Sequence, residues 1–297
     1  MKINELFKNK KVVFSMEVFP PNKKATKEAV QNATREICKL NPDYVSVTYG
    51  AGGINTVQSP TLEIAQFRKE ECKTLPLAHL TCVNSKKQQV LQVLDGLEKI
   101  GLENVLALRG DKNPELSDSD EFEYASELVQ LIRCKSDFNI SGACYPEGHT
   151  ECESIEKDID NLKYKIDSGV NHLITQLFFD NGCFYDFMDR IGQKGIDVPV
   201  SAGIMPVVSA NQIKRIVTLS GASLPSRFSK MIAKYEGNPE ALRDAGIAYA
   251  TNQIIELLTE GVRGIHLYTM NNPYVAQRIT ESVKSMINSD NYATIGR

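Results

Sequence analysis

The sequence predicts a single (β/α)8 TIM barrel of the α/β class, on three observations. Eight short runs rich in β-branched and aromatic residues recur along the chain, at 12–19, 44–50, 77–83, 104–111, 140–147, 173–180, 200–207 and 264–270. The segments between them have helical period and composition, and strictly alternating strands and helices imply parallel strands joined by crossovers. No Pro-, Gly- or Ser-rich linker divides the 297 residues. One barrel over 1–297 therefore fits better than two small doubly wound sheets.

The first strand is Val12-Val13-Phe14-Ser15-Met16-Glu17-Val18-Phe19, ended by Pro20-Pro21, which have no N–H to give a ladder. Thr26-Lys27-Glu28-Ala29 opens the first helix with a capping pattern, and Ile37 and Leu40 continue its apolar stripe. Gln88 to Ile100 and Ser126 to Ile132 read the same way. Ile155 to Ile166 sets Ile155, Ile159, Leu162 and Ile166 on one face. The interval 208–263 has room for more than one helix, one of them spanning Asp244 to Leu258. Ser289 to Arg297 is polar and expected to fray, and no regulatory domain is expected after the last barrel helix.

Composition removes several classes of function. With 34 Lys and Arg against 37 Asp and Glu, well mixed, there is no basic face for nucleic acid or a membrane surface. Seven cysteines are scattered singly, without a Cys-x-x-Cys pair, which supports neither a zinc ribbon nor a disulfide framework. The four histidines lack ligand spacing, so no metal is expected. Without a signal peptide or a long apolar run, the expected location is cytoplasmic.

In such a barrel, chemistry collects where the strands end. Unusual polar residues fall there: Glu17, Thr48-Tyr49, His79 and Thr81, Arg109-Gly110-Asp111, Tyr145 and Glu147, Gln176 and Asp180, and Tyr268-Thr269. Glu17 is the sharpest. An ionised carboxylate in a strand this apolar is costly unless it is paired, protonated or at a wet mouth. A structural ion pair is the bland alternative. Period-two alternation puts Arg109 and Asp111 on one face, and Glu17 with Ser15 and Phe19 on another. Gly50-Ala51-Gly52-Gly53 is either a tight turn or a place where backbone approaches a ligand closely.

The sequence has no Gly-x-Gly-x-x-Gly after a strand and no P-loop. Cys82 and Cys144 lie mid-strand, where buried structural thiols are the common case. The lysines avoid the strand ends, which weakens a Schiff-base reading. Acid–base work by Glu17 remains, with Arg109 and Asp111 suited to holding a polar cofactor.

Eight motifs occur in one order: Ser15-Met16-Glu17-Val18-Phe19-Pro20-Pro21, Val45-Ser46-Val47-Thr48-Tyr49-Gly50, His79-Leu80-Thr81-Cys82, Leu106-Ala107-Leu108-Arg109-Gly110-Asp111, Tyr145-Pro146-Glu147-x-His149, Ile174-Thr175-Gln176-x-Phe178-Phe179-Asp180, Gly203-Ile204-Met205-Pro206 and His266-x-Tyr268-Thr269. Together they resemble bacterial methylenetetrahydrofolate reductases over essentially the whole chain. The resemblance implies non-covalent FAD at the strand C-terminal ends and reduction of 5,10-methylenetetrahydrofolate to 5-methyltetrahydrofolate. It implies that Glu17 is the general acid that protonates N10 and opens the five-membered ring to the N5 iminium. Reduced flavin then gives hydride to the exocyclic carbon. Asp111 matches an acidic group near flavin and pterin, and Gln176 a residue whose amide meets the pterin. Gln212, Tyr268 and Asn272 match further substrate contacts.

For FAD the resemblance implies Thr48, Tyr49, His79, Arg109, Gly110, Asp111, Tyr124, Ala125, Ala143, Tyr145, His149, Asp158, Asn161 and Lys165. Arg109, His149 and Lys165 suit the diphosphate and Asp158 the ribose hydroxyls. Asp158, Asn161 and Lys165 fall on one helix face.

Three departures stand out. Ile216 replaces an aromatic that would stack on nicotinamide, Asn272 replaces an Arg near the folate tail, and Tyr164 replaces a basic residue near the FAD phosphates. The electron donor is thus NADH or NADPH, or a protein redox partner. The assembly is expected to be a homo-oligomer or a hetero-complex, feeding methionine synthesis or a methyl branch of carbon fixation. A non-catalytic folate- or flavin-binding subunit is the alternative from another class, and an unrelated pterin-methyltransferase or aldolase barrel is a third.

Overall fold

A computed structural model describes residues 1–21, 25–48, 60–111 and 121–295. The strands are β1 (Val13–Val18), β2 (Tyr44–Val47), β3 (Leu75–Thr81), β4 (Asn104–Leu108), β5 (Asn139–Cys144), β6 (His172–Thr175), β7 (Val200–Ile204) and β8 (Gly264–Tyr268). All pair in parallel and in chain order, and β8 returns to β1 to close the barrel. This is the (β/α)8 architecture that the alternation predicts. The strands stop sooner than expected. Arg109, Tyr145 and Gln176 each sit one residue past the last ladder position of β4, β5 and β6. The polar groups at these ends therefore stand on the rim rather than in the sheet.

Helices alternate with the strands: α1 (Ile3–Asn9), α2 (Lys27–Cys38), α3 (Pro60–Phe67), α4 (Lys87–Lys99), α5 (Ala125–Lys135), α6 (Ile155–Asp167), α7 (Asn181–Gln193), α8 (Ala210–Ser220), α9 (Ser226–Tyr235), α10 (Pro239–Thr259) and α11 (Pro273–Ile295). The Thr26 hydroxyl accepts the Ala29 N–H at 3.3 Å, as its capping pattern predicts. The interval 208–263 holds three helices, of which α10 is longer at both ends than the expected Asp244–Leu258.

Helix α1 is not foreshadowed by the strand pattern. It closes the floor of the barrel, burying Ile3, Leu6 and Phe7 in one apolar cluster with Val13, Tyr44, Leu77, Leu106 and Ile174. Asn104 receives it, with the side-chain oxygen accepting the Ile3 N–H at 2.8 Å.

Two expectations need correction. Cys38 and Cys72 form a disulfide, with Cα atoms 5.7 Å apart, within the usual range for a bridge. Spacing could not reveal it, because the ends of α2 and of the π-helical turn Arg68–Cys72 meet only in the folded barrel. The C-terminal stretch is also tied down as far as Asn291. α11 runs to Ile295, Lys11 donates to Asp290 at 2.8 Å, and Asn291 pairs with both backbone groups of Val12.

Candidate active site

The barrel axis carries a column of rings and hydroxyls set by inward-facing positions two apart in the strands. From the floor upward, Phe7 meets His172 at 5.2 Å, His172 meets Tyr44 at 5.9 Å, Tyr44 stacks on His266 at 6.0 Å, and His266 meets Tyr268 at 5.3 Å. Glu17 stands beside the upper part of this column. Its side chain is 8% exposed.

Three side chains face the Glu17 carboxylate. Ser46 donates to Oε2 at 3.4 Å, His79 Nε2 lies 3.4 Å from it, and His266 Nε2 lies 3.8 Å away. No lysine or arginine pairs with Glu17 among the described residues. Burial pushes the His79 imidazole down to about 4, outweighing the attraction of Glu17, so His79 is neutral near pH 7. The described residues supply no Lys or Arg for the bland reading of Glu17 as a structural ion pair. His79 Nε2 is itself buried without a hydrogen bond among the described residues.

His266 is oriented from below. The Ser15 hydroxyl donates to the Ile265 carbonyl at 3.1 Å, which makes His266 Nδ1 the donor to Ser15 Oγ at 2.7 Å. Nε2 is then an acceptor 3.3 Å from Ser46, and it competes with Glu17 Oε2 for the single Ser46 hydroxyl proton. Tyr268 lies across the mouth and donates to the Thr175 carbonyl at 2.7 Å. Burial first, then the neighbouring Glu17, raise its phenol well above the usual range. Gly203 makes room for it, since a Cβ there would come within 2.7 Å of the Tyr268 hydroxyl.

A second group of rim residues gathers beside β4, β5 and α6. Gly110 has φ of 87°, and a Cβ on it would meet the Thr81 side chain at 3.0 Å, so only glycine lets the backbone pass here. Arg109 forks onto Glu151 with bonds of 2.6 and 2.8 Å. Tyr145 and His149 pack edge to face at 4.6 Å, and burial pushes the Tyr145 phenol up to about 12. Asp158, raised by burial, accepts the His149 N–H at 3.1 Å. Thr48 donates its N–H to the Val18 carbonyl at 3.1 Å beside Glu17.

Other expected positions are placed differently. Lys165 turns inward and donates to the Ala143 carbonyl, and burial lowers its ammonium. It shares α6 with Asp158, but Asn161 is exposed and reaches Cys152 instead. Tyr124 and Asp111 are exposed, and Ala125 opens α5. Tyr49 lies outside the described residues, as does the loop from Gly50 to Gly53.

Gln176 spends its side-chain oxygen on the Leu177 N–H at 2.9 Å. Gln212 staples the loop before it, accepting from Val208 at 3.0 Å and donating to the Pro206 carbonyl at 3.2 Å. Asn272 caps α11, accepting the Val275 N–H at 3.2 Å ahead of Pro273. Where relatives are expected to hold an Arg, this chain holds a helix cap. Ile216 is buried in an apolar cluster with Leu177, Phe179, Val207 and Phe228. Tyr164 is exposed, and its hydroxyl accepts from Gln130 at 3.1 Å.

Sequence reasoning passed over His172, Tyr44, Ser141 and Ser201, which hold the lower column together. Their signal was present: polar side chains at alternate positions in strands that are otherwise apolar. Cys82 and Cys144 are buried with thiols pushed up to about 12, as expected of inert structural cysteines. Among the described residues no cluster of His, Cys, Asp or Glu could hold a metal, and no helix is long and apolar enough to cross a membrane.

With this geometry in hand, similarity to known proteins is informative. The family model for methylenetetrahydrofolate reductase matches residues 2–284. The chain belongs to that family. It is 34% identical over 269 residues to 5,10-methylenetetrahydrofolate reductase of Pectobacterium carotovorum subsp. carotovorum, covering 91% of this chain and 89% of that one. The Escherichia coli (strain K12) protein of the same name is 33% identical, with 91% and 90% covered. Methylenetetrahydrofolate reductase (NADH) 1 of Zea mays is 32% identical over 91% of this chain and 48% of its own. A solved structure of an uncharacterized protein from Clostridium thermocellum, described as binding two copies of 5-methyl-5,6,7,8-tetrahydrofolic acid, superposes with a TM-score of 0.66. At 13% identity, covering 97% of this chain and 100% of that one, it shows the shared fold alone. Family membership makes this chain an oxidoreductase.

Proposed function

We propose that the chain reduces 5,10-methylenetetrahydrofolate to 5-methyltetrahydrofolate with FAD as its cofactor and Glu17 as general acid. The carrying observation is the buried Glu17 carboxylate at the mouth, faced by a hydroxyl and two imidazoles and by no cation among the described residues. As general acid, Glu17 would give a proton to N10, so the ring opens to an iminium. The Ser46 hydroxyl would hold that carboxyl by its hydrogen bond, and Tyr268, the register partner of Glu17 on β8, stands beside it at the mouth.

The rim fits FAD. His79 Nε2 is a buried polar atom that the described residues leave unbonded, and Gly110 opens backbone where a side chain would block approach. Arg109 and His149 would meet the diphosphate, Arg109 by exchanging Glu151 for phosphate oxygens, and Asp158 would take ribose hydroxyls. Lys165 would support the β5 edge through Ala143 rather than touch phosphate. When bound and reduced, FAD supplies the hydride. Asp111, exposed at the rim, would oppose the positive charge of the iminium.

A second reading concerns the donor. Ile216 is buried among Leu177, Phe179 and Phe228, so this position offers no aromatic ring to a nicotinamide. That favours electrons from a protein partner over NADH or NADPH. Rapid bleaching of the flavin by either nucleotide in stopped flow would overturn the partner version.

The test of the main reading is spectral and kinetic. The protein reconstituted with FAD should show a flavin band near about 450 nm. Once reduced, it should be reoxidised by methylenetetrahydrofolate. Glu17→Gln should keep the band and slow reoxidation by about 10²–10⁴-fold. A colourless reconstituted protein defeats the flavin reading, and an unchanged rate in Glu17→Gln defeats the general acid.

A further inference from the structure

Building on the reading of Glu17 as proton donor, we propose that Thr269 and Asn271 are its positioning residues, a side-chain clamp that completes the sheet where the β8 backbone turns away. β1 and β8 pair in register from Val13 with Gly264 to Glu17 with Tyr268, and the ladder ends there. Past that rung the chain leaves the sheet. Met270 and Asn271 both take left-handed backbone, at φ of 52° and 54°. Non-glycine residues hold that conformation in succession only where the surroundings impose it, and such places concentrate at functional sites.

The turn supplies a replacement for the missing rungs. The Thr269 hydroxyl donates to the Glu17 carbonyl at 2.5 Å and accepts the Asn271 N–H at 3.2 Å. The Asn271 side chain then takes both backbone groups of Phe19. Its oxygen accepts the Phe19 N–H at 2.8 Å, and its nitrogen donates to the Phe19 carbonyl at 2.9 Å. An amide side chain presents one acceptor and one donor, so it can substitute for a neighbouring peptide group. Pro20 and Pro21 follow and have no N–H to offer, so Phe19 is the last residue before them whose backbone can be held from both its groups.

Glu17 is therefore fixed from both sides. Thr48 on the β2 side holds the Val18 carbonyl, while the clamp holds Glu17 and Phe19 on the β8 side. The carboxylate sits next to the end of the strand, where fraying would swing it most. The other end of β1 carries a similar device without a catalytic neighbour. Asn291 accepts the Val12 N–H at 2.9 Å and donates to the Val12 carbonyl at 3.0 Å. It serves as an internal control: the same chemistry on the same strand, far from the mouth.

The experiment compares Asn271→Gly, Thr269→Val, Thr269→Ser and Asn291→Ala with the unmodified FAD-loaded protein. Glycine is chosen at 271 because it accepts the left-handed backbone without strain, so any loss reports the missing amide. Two quantities are read: single-turnover reoxidation of reduced flavin across methylenetetrahydrofolate concentrations, and hydrogen exchange of the Phe19 amide in protein without folate. Asn271→Gly and Thr269→Val should lower the limiting rate by about 10–100-fold, as misplacement of a catalytic group does. Half-saturation should stay within about threefold, and the Phe19 amide should exchange faster in Asn271→Gly. Thr269→Ser, keeping the hydroxyl, should recover most of the rate. Asn291→Ala should lower the melting temperature and leave the limiting rate in place.

A wild-type limiting rate in Asn271→Gly overturns the proposal, and so does an equal rate loss in Asn291→Ala. If Asn271→Gly fails to fold, the Thr269→Val and Thr269→Ser pair decides, and equal rates in the two overturn it. Should the unmodified protein not reoxidise with folate at all, the reduction reading is what fails, and Phe19 exchange still reports whether the clamp holds the strand.

Discussion

Two buried histidines at opposite ends of one barrel solve the same problem in opposite ways. His172, near the floor, is fully satisfied: Nδ1 bonds to Ser141 and Nε2 to Ser201, each at 2.9 Å, with Phe7 of α1 packed on the ring. His79, at the mouth, leaves Nε2 unbonded among the described residues and 3.4 Å from a carboxylate. Burial pushes both imidazoles down, His172 to about 3 and His79 to about 4. Equal burial with unequal bonding separates a structural polar core from a site. His79 Nε2 is one of several buried polar atoms left unbonded among the described residues, and its place at the mouth beside Glu17 is what makes it a candidate ligand contact.

The contrast can be tested from the floor first. Phe7→Ala should cost about 3–5 kcal/mol of stability in urea unfolding, because it empties the plug against His172. The surviving folded fraction should bind FAD as the unmodified protein does. A loss of FAD affinity in that fraction would show that floor and mouth are coupled.

Exchanging the histidines themselves is the next largest effect. His172→Asn should cost about 2–3 kcal/mol, since it strands the Ser141 or Ser201 hydroxyl in an apolar interior. His79→Asn should cost about 1 kcal/mol or less, because no bond within the described protein is lost. The two should reverse in FAD titrations, with His79→Asn the weaker binder. Equal stability losses would erase the distinction drawn between the two ends.

The smallest effect per step is the acid limb of stability. Both folded values lie below the ordinary histidine value of about 6.5. Between pH 6.5 and the folded values the unfolded chain binds more protons, so stability rises with pH there. It is complete above about pH 6.5 and falls as pH drops, by about 1.4 kcal/mol per unit for each histidine. Unfolding midpoints measured from pH 7 to 4 should show this slope, and His172→Asn should flatten it. A slope unchanged by that substitution would mean that His172 is not buried neutral.

The barrel was legible because its signals are local. Alternating strand and helix periods, and the Pro20-Pro21 stop, need no knowledge of the fold. The rim was legible as a set of positions, since Arg109, Tyr145 and Gln176 stand just past apolar runs. Their partners were not. Gln212, expected as a substrate contact, also staples Pro206 and Val208 through its amide, and Asn272 also caps α11, bonds that the sequence did not show. Lys165 has the right helix face for a phosphate, yet its ammonium is drawn to a β5 carbonyl. The lower column shows in the sequence only as polar residues at alternate strand positions, and which of them meet is decided when the barrel closes.

By itself, the sequence determined the order and parallel sense of the strands and the place of Glu17 at the end of the first. These follow from periodicity and chain connectivity, which act over a few residues. Only the tertiary structure decided which polar groups meet. Cys38 finds Cys72 across 34 residues, Arg109 finds Glu151 across 42, and Asn271 reaches Phe19 across 252. Hydrogen bonds and ion pairs act over about 3 Å. Partners so distant in sequence are therefore chosen by the closed barrel.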